Sequence, residues 1–196
     1  MYGSWCCARS SNFQYNAHID DICLKANRLL GMVFKLFSSR SRDFLVRIYL
    51  TYIRPRLEYA SIIWNPSGVG LSKQLENVQR RFTRKLFGDI QLSYEDRLNS
   101  LAIPTLSSRR KSADFIFAFK LLHNLIDIES SSVGVILSAN NTRSRGADLV
   151  RGSATSHLVE GCYSYRISHM WNDLPLPVKS SISLMSFKKR LLEHLH

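Results

Sequence analysis

The chain has few acids and no paired cysteines, and both shortages narrow what it can be. Its 196 residues include 15 Asp and Glu against 27 Lys and Arg, a formal net charge of +12, and the isoelectric point is about 9.9. Such an excess favours polyanions such as nucleic acid or an anionic membrane surface, and charge alone does not choose between them. The 4 cysteines, Cys6, Cys7, Cys23 and Cys162, form no CxxC pair, so neither a structural zinc site nor a disulfide framework is expected. Reduced thiols suit an intracellular setting, nuclear or cytoplasmic. No apolar run approaches the roughly 20 residues needed to span a bilayer. The first residues, MYGSWCCA, lack the basic start and apolar centre of a signal peptide. Alternating strand patterns are rare. Missing too are a G-x-S-x-G elbow, a Gly-rich phosphate loop and a His/Cys set with metal-ligand spacing, so no metal or cofactor site is expected in this chain.

What remains is helical periodicity over a chain that is 45% hydrophobic. From about His18, Ile19, Ile22, Ala26, Leu29, Leu30, Val33 and Phe37 recur at three- and four-residue steps, one face of an amphipathic helix. Phe44, Leu45, Ile48, Tyr49 and Tyr52 give a second apolar face, which Pro55 should end or kink. Tyr49, Tyr52 and Tyr59 are expected in the core, as are Trp64 and Trp171, although tryptophan can also stack bases. A third helix is predicted from about Leu71 to Phe87, with Leu71, Leu75, Val78, Phe82 and Leu86 buried and Gly88 as C-cap. Ser93 and Asp96 have capping-box spacing. Beyond Pro104, Ser107 or Ser108 can cap a long helix reaching about Leu125, with Ala113, Ile116, Phe117, Lys120 and Leu121 on one face, Phe115, Phe119 and Leu122 broadening it into a buried helix, and His123 a packing residue. Residues 127–156 are rich in Ser, Asn, Gly and Arg and read as a loop or lightly structured linker. A short helix over 163–171 and a terminal helix capped by Ser183 follow. The fold class is therefore mostly α, an irregular helical bundle.

Two basic clusters are the candidate binding residues. Arg80, Arg81, Arg84 and Lys85 lie at one-turn spacings, and Lys73 adds a fifth cation against the single acid Glu76. The fork of arginine suits phosphate oxygens, and a merely solvated helix face is the alternative. Arg109, Arg110 and Lys111 fall in the first turn of their helix, where cations oppose the macrodipole. Arg143, Arg145 and Arg151 could form a flexible electrostatic arm or a solubilising loop.

The order of several segments resembles the C-terminal end of non-LTR retrotransposon reverse transcriptases of the jockey type. The segments are FQYNAHIDDICLKANRLLG, YIRPRLEYASIIWNP, LENVQRRFTRKLFG, YEDRLNSLAIPTLSSRR and DFIFAFKLLHNLID, followed by WNDLP and a Phe- and Lys-containing helix. No single segment is a chemical fingerprint; their order and spacing carry the resemblance. It implies a polymerase thumb plus C-terminal extension, which embraces RNA, DNA or an RNA–DNA hybrid by its backbone. The organisation it implies is an unmatched segment over 1–16, a thumb-like region over 17–127, a linker over 128–160 and a small helical segment over 161–196. The family enzyme is an RNA-directed DNA polymerase using a divalent metal such as Mg. Its paired aspartates, in an aromatic-Ala-Asp-Asp context, are missing here; Asp20 and Asp21 are adjacent but lie in a helical pattern. The resemblance thus implies a fragment without its catalytic palm, with that palm as a possible partner. A polymerase shortened by gene prediction and a helical interaction module without selected function are the alternatives.

Overall fold

A computed structural model describes residues 15–37, 41–66, 68–88, 90–138, 148–151 and 162–195. These are mostly α-helical, with no sheet among them. Contacts divide the chain into two units, one of Gln14–Arg110 and one holding Lys111–His196. The division falls inside a helix, between Arg110 and Lys111.

In the first unit, α1 (Tyr15–Leu36) buries Ile19, Cys23, Ala26 and Leu30. α5 (Val69–Phe87) buries Leu75, Val78, Phe82 and Leu86. Gln74 Nε2 donates to Asp20 Oδ1 at 2.7 Å, and Arg81 Nη1 reaches Asn27 Oδ1 at 3.4 Å. Both steps, from 20 to 27 and from 74 to 81, advance seven residues in the same sense, so α1 and α5 run parallel in constant register.

The chain between them is α2 (Arg42–Ile48), a π-helical turn (Tyr49–Ile53), α3 (Arg54–Glu58) and α4 (Ser61–Trp64). Pro55 does not end the helix. The Arg54 amide donates five residues back to the Tyr49 carbonyl, and the wider turn delivers Pro55 to the start of α3, where a missing amide goes unclaimed. The extra residue also resets the face. Tyr49, Ile53 and Leu57 are buried, while Tyr52 is turned outward, 69% exposed. Tyr59 is 81% exposed; it lies beside Ala60, whose left-handed backbone (φ 53°) reverses the chain. Two of the three tyrosines expected in the core are therefore on the surface. Trp64 is buried as expected, donating to the Tyr59 carbonyl at 2.8 Å.

A buried polar chain joins α5 to the elements after it. The Tyr49 ring stacks on Phe82, centroids 4.2 Å apart, and its hydroxyl donates to Gln79 Oε1 at 2.7 Å. Gln79 Nε2 donates to the Tyr94 hydroxyl at 3.1 Å and the Pro104 carbonyl at 3.0 Å. The Tyr94 hydroxyl in turn donates to Glu76. Glu76 accepts the Leu106 and Ser107 amides at 3.3 and 3.2 Å, and Thr105 Oγ1 accepts the Ser108 amide. The first amides of α7 (Leu106–Leu122) are thus capped by Thr105 and by a carboxylate 30 residues upstream, and not by Ser107 or Ser108. α6 (Tyr94–Leu101) is capped by Ser93, whose Oγ accepts the Asp96 amide, as the spacing predicts.

The second unit packs α8 (Tyr163–Asn172), α9 (Leu176–Lys179) and α10 (Leu184–Leu195) with residues 111–122 of α7. The buried face of α7 here is Asp114, Phe115, Ala118, Phe119 and Leu121. Phe115, Phe119 and Leu121 are among the apolar residues expected to be buried, whereas Ala113, Ile116 and Phe117 are only partly covered. Phe119 stacks on Phe187, which also meets Trp171. Buried Asp114 pairs with Arg166 at 2.9 Å, and its carbonyl accepts the Tyr163 hydroxyl. His123 is exposed and lies on the Phe119 ring. Within the expected linker, Ser130–Val133 form a 3-10 turn, and Leu137 bridges Leu149. Leu149 is tied to the Asn172 side chain, and Lys179 to Asp148.

Gln79 is fully buried with three partners. Gln79→Leu keeps an apolar side chain of similar reach but orphans those groups, so unfolding in urea should lose on the order of 3 kcal/mol. A loss below about 0.5 kcal/mol would show that the polar chain does not hold this unit together.

Candidate nucleic-acid interface

α5 runs unbroken because Val69–Phe87 holds one glycine, near its start, and no proline. Gly88, with φ 60°, ends it in the left-handed backbone expected of a C-cap. Successive residues turn by about 100°. On that wheel Arg80, Lys73, Arg84, Asn77, Arg81 and Lys85 succeed one another around the solvent side, and all six are exposed. No acid interrupts this arc, because Glu76 is turned inward to cap α7.

Three of the four predicted cations of α5 rest on a neighbouring side chain, and none of the four is neutralised among the described residues. The Arg80 guanidinium lies 4.0 Å from the centre of the Tyr94 ring, and the Lys85 ammonium lies 5.2 Å from that of Phe34. Arg81 leans on Asn27. Arg84 makes no ion pair or side-chain hydrogen bond among the described residues. A ring face steadies a cation yet leaves its N–H donors pointing at water. None of the four meets a carboxylate among the described residues. The polar chain below sets one of these supports: Glu76 and Gln79 fix the Tyr94 hydroxyl, and the Tyr94 ring carries Arg80. Burial, and then the bond to Glu76, push the Tyr94 hydroxyl well above the usual phenol range, so it stays a donor. Tyr94 and Phe34 are supports that sequence spacing does not reveal, since neither lies within a turn of the cation it carries.

The second cluster is divided. Arg109 forks both Nε and Nη2 onto the Glu58 carboxylate, whose hydrogen bonding raises the guanidinium pKa. Arg110 is 2% exposed, with Nε on Asn65 and Nη2 on Ser72, each at 3.1 Å. It is thereby withdrawn from the phosphate-binding candidates. Lys111 is exposed and belongs to the other unit. Arg109, the fourth residue of α7, closes the first turn, and Arg110 and Lys111 follow in the second. The dipole conflict expected from the sequence is relieved by Glu76 at the helix start.

Asp20 and Asp21 are engaged separately, Asp20 with Gln74 and Asp21 with Lys25. α1 starts at Tyr15, so they lie beyond its first turn. No group of three His, Cys, Asp or Glu among the described residues is placed to hold a metal ion. Burial and the neighbouring Asp20 push the Cys23 thiol up to about 11. Trp64 and Trp171 are buried, which leaves no indole face for a base. Arg151 pairs loosely with Asp173 at 3.6 Å; Arg143, Arg145, Cys6 and Cys7 lie outside the described residues. No helix among those residues is long and apolar enough to cross a membrane.

Comparison with protein-family profiles, with curated protein sequences and with solved structures returns no match for this chain.

Two arginines from the two clusters should behave oppositely. Arg110→Ala removes buried charge-assisted bonds and should cost on the order of 2–3 kcal/mol in a denaturation curve. Arg84→Ala should stay within about 0.5 kcal/mol of the parent; equal losses would contradict this division. With its thiol protonated at neutral pH, Cys23 should resist iodoacetamide in the folded protein and react in denaturant. Peptide mass mapping after brief alkylation reads this directly.

Proposed function

We propose that this protein binds RNA, DNA or an RNA–DNA hybrid by its phosphates, with the exposed side of α5 as the gripping surface. The observation that carries the reading is the acid-free arc of Arg80, Arg81, Arg84 and Lys85, with no carboxylate partner among the described residues. Guanidinium groups propped on neighbouring side chains retain donors for two phosphate oxygens and lose little freedom on binding. The segment resemblance supports the same reading. It makes the chain a thumb-like relative of non-LTR reverse transcriptases, holding nucleic acid without supplying polymerase chemistry of its own. Joined to a palm, in cis or in trans, the same surface would hold a template–product duplex.

Backbone binding of this kind is tolerant of sequence and falls steeply with salt, because each neutralised phosphate releases counterions. The test is a titration of labelled RNA–DNA hybrid at several salt concentrations, with the parent and with R81E/R84E/K85E. The triple variant should weaken binding to every sequence tried. Its log–log salt slope should shrink by about 0.9 for each phosphate that is no longer neutralised. Unchanged affinity would remove α5 from the site, and no binding by the folded parent would overturn the reading altogether.

Exposed Leu24, Met32 and Leu36 on α1 favour a second reading, in which this helix also docks a protein such as a polymerase palm. A monodisperse monomer that ignores an added palm would count against it.

A further inference from the structure

Gly31 stands in the interior of α1, where glycine costs about 0.5–1 kcal/mol relative to alanine. Nothing among the described residues requires it. Its backbone is not in the left-handed region, and a Cβ built there meets nothing within 4 Å. It is exposed, so it gives no close helix packing within the chain. Among the described residues, then, neither backbone strain nor packing accounts for the glycine, and its surface is open.

Its position says what that is. The seam between α1 and α5 keeps constant register, with Asp20 beside Gln74 and Asn27 beside Arg81. One turn further along both helices, residue 31 comes level with residue 85. Gly31 is thus the bare point opposite Lys85, whose ammonium rests over Phe34, three residues beyond Gly31. Lys35, exposed, follows one turn after Gly31 on α1. A Cβ at 31 meets no described atom, so only a longer side chain there would reach toward these cations.

We propose that the α1–α5 seam is a groove for a nucleic-acid backbone. A phosphodiester lies over Gly31, between Arg81 and Lys85 on one side and Lys35 on the other. The inference rests on the α5 reading and extends it by bringing α1 into the site. The proposed occupant is polyanionic on account of the cations Arg81, Lys85 and Lys35 about Gly31, with Asn27 as a neutral amide and exposed Leu24 and Met32 as apolar neighbours on α1. The acids of α1, Asp20 and Asp21, are two turns or more away and already engaged. An approaching phosphate needs a wall without a Cβ to come within bonding distance of ammonium and guanidinium groups on both helices.

The test compares Gly31→Gln and Gly31→Ala in the full chain with Met32→Gln, which places the same amide one residue away on an exposed position. Anisotropy with a labelled RNA–DNA hybrid reads affinity, and thermal denaturation reads the fold. Both Gly31 variants should melt at or above the parent temperature, since glycine is the poorer helix former. Gly31→Gln should weaken hybrid binding roughly tenfold, about 1.4 kcal/mol, Gly31→Ala less, and Met32→Gln not at all. Parent-like affinity in Gly31→Gln, with R81E/R84E/K85E still impaired, would overturn the groove and leave α5 as the site. Parent-like affinity in both would overturn the two together. A Gly31→Gln protein that binds hybrid normally but changes its association state would overturn the groove in favour of protein packing.

Discussion

The carboxylate of Glu76 organises the first unit. A buried charge is tolerated only when its lone pairs are taken, and Glu76 is taken up by the Tyr94 hydroxyl and by two amides at the start of α7. This arrangement fixes three things together. It starts α7, it locks α6 through Tyr94, and it points the only acid of α5 away from solvent. Gln79, one turn later, extends the chain to Tyr49 and Pro104. Polar networks of this type tolerate few alternatives, because a half-satisfied member is worse than an apolar one. The surface follows from the interior: with Glu76 inside, the outer side of α5 is left cationic.

The second unit solves a similar problem differently. Asp114 is fully buried and its carboxylate is paired with Arg166, so this charge staples α7 to α8, while the Tyr163 hydroxyl takes the Asp114 backbone carbonyl. Burial, and then Asp114, hold the Tyr163 hydroxyl far above the ordinary phenol range. Lys179 plays the complementary part, a buried ammonium held by Asp148 and the Asn172 carbonyl. Around these pairs the stacked rings of Phe119, Phe187 and Trp171 supply apolar burial.

Much of the helical layout was legible in the sequence because it depends on local spacing. Ile19, Ala26 and Leu30 on α1, and Leu75, Val78 and Phe82 on α5, are buried where the three- and four-residue steps place them. The caps at Ser93 and Gly88 are local signals too. What escaped depends on partners far along the chain. Glu76 reads as one surface acid among cations until the α7 amides are brought to it. Arg110 reads as one cation of three until Asn65 and Ser72 enclose it. Tyr52 fails for a third reason: the π turn adds a residue to the period, so a wheel drawn at α spacing turns it inward. Of the candidate site, the α5 cations were legible as a row, while their props Tyr94 and Phe34 were not.

The parallel register of α1 and α5 gives the seam a direction. Parallel helices align their dipoles, and antiparallel neighbours oppose them. Here both amino-terminal ends lie together, near Asp20 and Gln74, and both carboxyl-terminal ends lie together, near Lys35 and Lys85. The seam thus carries Asp20 and Gln74, with Lys73 exposed beside them, at one end and Lys35 and Lys85 at the other. A polynucleotide also has unlike ends. Were a strand laid along this seam as proposed, its two senses would therefore be unequal in energy.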